Sequence, residues 1–464
     1  MSQSMRLLAP LAAALVAAGC SMMPKYERPA APVPQAFPYP STEAGVPAAE
    51  LAWEQFFADP KLRSLIATAL RNNRDLRVAV LNIAQARAQY DIRNADRYPT
   101  LGVSGTASRA PNPITGEQAT SLSANLGISS WEIDFFGRIA SLSQAALAQY
   151  LSTEEGRKAA QITLVASVAN TWLSLAADEE LLALTRETLA TREESQRLTR
   201  LRFEAGASSE VDFRLAESLA EGARATLAQL RRQRALDLNA LALLLGEGVS
   251  PEFQVGITTE GVRLPDVPAG LPSDVLVRRP DVRQAEQQLV AANANIGAAR
   301  AAFFPRISLT AGIGTASSQL SGLFAGGSWG YTVAPSLLAP IFDAGRNRAG
   351  LASAEASRDI AVAQYERAIQ QAFRDVSDAL AGRATFTDQV DAQTRVVAAE
   401  SVRFRLARLR YENGVSSYLD LLDAQRSLFA AQLSLVQARL ARLQNQVQLY
   451  RSLGGGWTEP AASP

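Results

Sequence analysis

The chain has 464 residues, 47% hydrophobic and 20% charged, with mean hydropathy near zero, which fits a folded protein with a sizeable buried surface and argues against disorder. Forty-six basic residues balance forty-five acidic ones, so the net charge offers no field to nucleic acid. With no histidine and a single cysteine, the chain lacks the commonest general base and metal ligand and can form neither an intrachain disulfide nor a cysteine-rich zinc site; it reads as a non-enzyme without metal or organic cofactor.

The position of the one cysteine accounts for it. Arg6 precedes an apolar run, Leu7 to Ala18, ending in Ala17-Ala18-Gly19-Cys20, so residues 1–19 read as a secretory signal peptide, too short to span a membrane. Small residues ending in Cys20 resemble the lipobox of bacterial lipoproteins, with Ala17 where Leu is usual. That resemblance implies a diacylglycerol and palmitate modification on Cys20, which becomes the new N-terminus. Ser21 in place of Asp avoids inner-membrane retention under the same family rule. Residues 20–60 then form the lipidated N-terminus and an extended segment carrying Pro24, Pro29, Pro32, Pro34, Pro38, Pro40 and Pro47.

Beyond this point the prolines mark long helices. None occurs between Pro113 and Pro251 or between Pro340 and Pro460, and both stretches are rich in Ala, Leu, Arg, Gln and Glu. The chain is also duplicated. Leu201-Arg-Phe-Glu-Ala-Gly-Ala-Ser-Ser-Glu-Val-Asp212 matches Leu409-Arg-Tyr-Glu-Asn-Gly-Val-Ser-Ser-Tyr-Leu-Asp420, and Gly137-Arg138 matches Gly345-Arg346, at an offset of 208. Tyr98-Pro99 and Asp75-Leu-Arg77 match Phe304-Pro305 and Asp281-Val-Arg283 at 206. Two halves sharing one plan are expected: 61–250 with a helix, a β-hairpin over 99–135 and a helical hairpin over 137–246; an inter-repeat segment 251–274; 275–452 with a helix, a β-hairpin over 305–342 and a helical hairpin over 343–452; and a tail 453–464.

In the hairpins, Leu122, Leu126 and Ile128 alternate with Ser, Asn and Gly, as do Ile307, Leu309, Ala311 and Ile313. That is the period-2 pattern of a barrel strand, and equally of a soluble half-buried hairpin. Trp131, Phe135, Phe136, Trp329, Tyr331 and Phe342 are candidate interfacial anchors. Gly206 and Gly414 stop a helix, and Ser209-x-x-Asp212 and Ser417-x-x-Asp420 start the next as capping boxes. A helix from Gly137 to about Phe203 would run roughly 100 Å, too long for a compact domain. Leu419, Leu422, Phe429, Leu433, Val436, Leu440, Leu443, Val447 and Tyr450 follow steps of three and four, interrupted by Arg426, as in a helix packed along its length. Four membrane strands cannot close a barrel, so several chains would have to pool them; the residues alone do not choose between two chains and three.

Val277-Arg278-Arg279-Pro280-Asp281-Val282, the junctions Gly137-Arg138 and Gly345-Arg346, and Arg410-Tyr-Glu-Asn-Gly-Val-Ser-Ser-Tyr-Leu-Asp-Leu-Leu-Asp-Ala-Gln-Arg426, in this order and with the duplication, resemble the TolC-like outer-membrane efflux proteins, in their lipoprotein (OprM-like) branch. The resemblance implies a mainly α fold with β: a homotrimer whose four strands per chain form a 12-stranded outer-membrane β-barrel. A long periplasmic α-helical barrel would continue it, with a small mixed equatorial region built near 21–60, 246–275 and 452–464. It implies the channel component of a tripartite efflux system in the outer membrane, lipid-anchored and extending into the periplasm. Its partners would be a periplasmic adaptor (membrane fusion protein), an inner-membrane pump of the resistance-nodulation-division class and outer-membrane lipid.

By the same resemblance Leu419 and Asp423 would form the channel gate, although Leu419 also fits the packed seam and Asp423 a solvated face. An apolar and a cation-attracting ring would follow. Leu215 stands where Asp423 stands in the other half. Arg202, Gly206, Ser209, Arg410, Gly414 and Ser417 would form helical tips that contact the adaptor, and Arg278, Arg279, Pro280 and Asp281 carry the family motif, which also reads as a helix start. Two other readings remain open: an exit duct for peptide or protein secretion on the same fold, and a pore-free scaffold lipoprotein.

Overall fold

The structure, a computed structural model, describes residues 21–39, 46–111, 116–254, 258–270 and 278–457; Cys20 with the leader before it, Val277 and the tail beyond Trp457 lie outside the described residues. The main elements are α1 (Pro60–Asn72), α2 (Arg74–Ala95), β1 (Leu101–Pro111), β2 (Gln118–Ile133), α3 (Arg138–Glu204), α4 (Glu210–Leu245), α5 (Pro280–Ala301), β3 (Arg306–Ser317), β4 (Trp329–Leu338), α6 (Arg346–Glu412) and α7 (Tyr418–Ser452). Duplication extends to residue register. Helices α3 and α6 each have 67 residues and begin 208 positions apart, and α2 and α5 each have 22 and begin 206 apart.

The chain folds as two compact units. Of the described residues, the first draws on those within 21–30, 81–154 and 284–367, the second on those within 31–80, 155–283 and 368–457.

In the first unit the strands form one antiparallel sheet in the order β1-β2-β3-β4. Leu101 pairs with Ile128 and Ala107 with Leu122 in one hairpin; Leu309 pairs with Pro335 and Ile313 with Tyr331 in the other; β2 and β3 join them, with Leu126 opposite Ile313. Gly127 is required there, because a Cβ would lie 2.4 Å from the Ala311 carbonyl oxygen. Between Ile128 and Trp131 the register shifts in a β-bulge, with Ser130 at φ 50°. The extra residue rephases β2, so Trp131 lies on the same face as Ile128, which simple alternation does not allow. Phe136 stacks on Phe304 at 4.7 Å, as packing rather than as a free anchor, whereas Trp329, Tyr331 and Phe342 are exposed.

The N-terminal segment is laid along α5 in this unit. The Asn293 side chain donates to the Pro24 carbonyl at 2.8 Å, and Arg28 makes a two-pronged pair with Glu286 at 2.7 and 2.9 Å. The Tyr26 hydroxyl donates to Glu286 at 3.1 Å, and Met23 sits so close to Gly297 that a Cβ there would be 2.8 Å from its Cα.

In the second unit a core gathers Leu164, Trp172 and Leu173 of α3, Leu62 and Ile66 of α1, Val376 of α6, and Val447 and Tyr450 of α7. Segments outside α1 to α7 complete it: Phe37, Ala48, Phe56, Phe57, Val267, Ala269 and Leu453 are all buried. Tyr450 stacks on Phe56 at 3.9 Å and donates its hydroxyl to the Leu51 carbonyl at 2.6 Å. This core explains the one apolar stretch of α3 that is long enough to cross a membrane, since over half of it is buried inside the protein. Along α7, Leu422, Phe429, Val436, Leu443, Val447 and Tyr450 are buried as the spacing predicts. Leu419 is the correction: at 60% exposure it lies off the seam.

Candidate functional site

Both helical hairpins turn by the same local chemistry. Gly206 and Gly414 take left-handed φ of 71° and 72°. The Ala207 amide donates to the Arg202 carbonyl at 2.7 Å and the Val415 amide to that of Arg410 at 2.8 Å, closing the last turns of α3 and α6. The Ser209 hydroxyl then accepts from the Asp212 amide at 3.1 Å and the Ser417 hydroxyl from the Asp420 amide at 3.2 Å, while both carboxylates accept in turn from the Ser209 and Ser417 amides at 3.3 Å. These are complete capping boxes, with Asp in the role usually taken by Glu.

The tips carry arginines and exposed apolar side chains. Arg202 donates to the Tyr411 hydroxyl and lies over its ring at 5.7 Å, so it bridges the two hairpins. Phe203 and Phe213 stack at 5.9 Å, flanked by Arg200 and Arg214. Arg410, Val211 and Val415 are exposed. Such a surface suits a partner offering acidic and apolar groups.

Asp423 is not a bare carboxylate. It lies between Arg403 of α6, which bonds one oxygen, and Arg426, which bonds the other at 2.6 Å; Arg403 also reaches Glu400 at 3.1 Å. Hydrogen bonding from Arg403, then from Arg426, holds the Asp423 carboxyl below the usual aspartate range. Within this chain the cluster is charge-balanced, which corrects the expectation of a simple cation-attracting acid. Leu419, one turn before Asp423, shares its helix face and is exposed.

Sequence reasoning missed Arg403 as a site residue. The signal was available: Arg403 and Asp423 are equidistant from Asn413, so folding the hairpin at that point brings them together. At 208 positions earlier stand Ser195, Leu215 and Ser218, an uncharged set in which Ser195 instead shares a 2.5 Å hydrogen bond with Tyr418. The whole triad, not Asp423 alone, distinguishes the second hairpin.

The Arg-Arg-Pro-Asp motif lies apart from the tips. Pro280 opens α5, and Arg279, 8% exposed, grips Asp281 at 3.0 and 2.6 Å while donating to the Ser452 carbonyl at 2.8 Å and the Ala372 carbonyl at 3.4 Å. Burial would raise the Asp281 carboxyl, but the Arg279 hydrogen bonds outweigh it and hold it below the ordinary value. Arg278 is exposed and pairs with Glu50 at 2.9 Å. Among the described residues no group of three His, Cys, Asp or Glu side chains could hold a metal ion.

Comparison with known proteins adds a family. The sequence model described as "Outer membrane efflux protein" matches residues 65–247 and 271–455, one stretch in each repeat. The toluene efflux pump outer membrane protein TtgC of Pseudomonas putida is 48% identical over 98% of this chain and 96% of its own length. A membrane protein of Pseudomonas aeruginosa has a solved structure with TM-score 0.86 and 44% identity, over 94% of this chain and all of that one. The open-state MtrE outer membrane channel of Neisseria gonorrhoeae superposes with TM-score 0.87 and 40% identity, over 94% and 98%.

Proposed function

The chain belongs to the outer membrane efflux protein family and is an outer-membrane component of an efflux system, and from that premise we propose that three copies form its exit duct. The observation that carries this reading is the open sheet. Strands β1 and β4 each have one paired neighbour, and Val103 and Tyr331 on them are 81% and 86% exposed. Lipid does not tolerate unpaired strand edges, and four strands are half the smallest known membrane barrel. Joining β4 of one copy to β1 of the next closes twelve strands.

The duct serves a tripartite assembly with a periplasmic adaptor and an inner-membrane pump of the resistance-nodulation-division class. The hairpin tips, with Arg202, Gly206, Ser209, Arg410, Gly414 and Ser417, meet the adaptor. Substrates are drugs or other small molecules, toluene being the one named for the relative TtgC. No bond is made or broken; the work is conduction and gating. Cys20 carries the lipid.

Leu419 and the Arg403–Asp423–Arg426 cluster form the constriction. Removing the acid frees Arg426, leaves Arg403 to Glu400 and gives the charge-balanced cluster a net positive charge, so Asp423→Ala should raise conductance in planar bilayers and shift selectivity toward anions. Unchanged conductance and selectivity would remove the cluster from the gate. A purified wild-type and variant that both fail to conduct would sink the duct reading.

A further inference from the structure

Within one chain the outbound helix of the first hairpin, α3, packs against the return helix of the second, α7. Four contacts fix their register. The Ser195 and Tyr418 hydroxyls share a hydrogen bond at 2.5 Å, Glu180 pairs with Arg439 at 3.6 Å, the Gln444 amide donates to the Ser174 hydroxyl at 3.1 Å, and Ala177 and Leu181 bury against Val436. Since α3 and α6 are equivalent at an offset of 208, and α4 and α7 likewise, every such contact has a counterpart between α6 and α4. Those counterparts are not made within the chain: Glu210, Ala228 and Arg231 on α4 and Thr385, Asp388 and Arg403 on α6 are all exposed.

The counterpart residues are complementary. Glu180 and Arg439 become Asp388 and Arg231, an ion pair of the same polarity. The Ser195–Tyr418 hydroxyl pair becomes Arg403 and Glu210, again of opposite charge. Ala177 and Val436 become Thr385 and Ala228, a small side chain against a β-branched one as before, with the larger moved to the other helix. The Ser174–Gln444 bond becomes Gly382 and the exposed Leu236, an apolar contact in place of a polar one, and Leu181 becomes Gln389. One pair is mismatched, since Arg192 over the Phe429 ring becomes Glu400 and Glu221. Each of those acids already has an arginine beside it, Arg403 and Arg224.

We propose that α6 docks on α4 of a second copy in the register of the internal α3–α7 seam, pairing Asp388 with Arg231 of the partner subunit and Arg403 with Glu210 of the partner subunit. The contact is head-to-tail, so it propagates until it closes into a ring. It rests on the trimeric reading above and adds the partner's residues to it. Arg403 thereby acquires a third acid, and the constriction cluster is completed only in the assembly. The seam between chains pairs charges at two of the positions where the internal seam pairs them at one, so it is the more salt-sensitive.

Two measurements on the full-length protein in detergent test this. Native mass spectrometry of the wild type counts the chains. Ala228→Cys/Thr385→Cys, treated with a short bis-maleimide, should give a denaturing-gel ladder up to the trimer, while Ser174→Cys/Gln444→Cys should cross-link only within a chain; single-cysteine variants, which retain Cys20, control for that residue. Arg231→Glu should weaken assembly about five-fold, and adding Asp388→Arg should restore it to about two-fold of wild type. A three-chain mass with no 228–385 ladder, or with cross-linking inside one chain only, overturns the docking register and leaves the trimer standing. A wild type that is monomeric overturns the trimer itself, and the docking with it.

Discussion

Arg279 ties together three parts of the second unit, the start of α5, the middle of α6 and the end of α7, through one guanidinium group. Truncating it leaves Asp281 without its cation, Asp375 with Arg374 alone and the Ser452 carbonyl without its donor. Arg279→Met should therefore cost about 3–5 kcal/mol of stability in urea unfolding. Arg279→Lys should recover little, because an ammonium cannot reproduce the fork. Asp178 illustrates the opposite electrostatic situation. Burial, then a hydrogen bond with Asp237, pushes its carboxyl from 3.8 up to about 7, against Glu179 and with Arg234 alone opposing. Its folded value lies above its unfolded one, so its contribution is fully present below about pH 4 and is lost as pH rises through about 7. Asp178→Asn should flatten that part of the stability profile; a variant that loses stability between about pH 4 and 7 as steeply as the wild type would contradict this. At this scale legibility was uneven. The proline in Arg-Arg-Pro-Asp announced a helix start, and α5 begins there. Nothing in the sequence said that Arg279 would be buried and Arg278 exposed, because that depends on where Ala372 and Ser452 come to lie.

Helices and caps were the most legible elements, because each is specified by its own residues. Gly stops, Ser caps and proline-free stretches act over a few positions, and the long helices run from Arg138 and Arg346 to the turns so marked. Removing the Ser417 hydroxyl should cost about 1 kcal/mol, seen as faster amide exchange in the first turn of α7, with no change in the first turn of α4. Strands were harder. Alternation located both hairpins but could not anticipate the bulge before Trp131, which answers to the pairing of β2 with β3 across the two repeats. Leu419 failed for a related reason. Its spacing matches the seam, but the seam is made by neighbours, and at the tip end of α7 the chain supplies none to cover it.

At the scale of the molecule, duplication made the architecture readable. A plan found twice at a fixed offset constrains itself, and the family comparisons agree with it. The candidate gate was legible only by resemblance, and its arginine partners emerged from the hairpin fold. What repetition hides is where the halves differ, and the difference at Arg403, Asp423 and Arg426 is a matter of three side chains on an otherwise equal frame.

Two helices of 67 residues, one in each repeat, also work as a matched pair of gauges. Deleting seven residues, two turns, from α3 alone would leave its tip about 10 Å short of that of α6. Arg202 could then no longer reach Tyr411. Taking the same seven from both should keep the tips level and preserve trimer formation while shortening the reach toward any docking partner. Efflux in cells should fail for the single deletion through loss of level, and for the matched deletion through loss of reach. Only the matched one should be repaired by lengthening the partner.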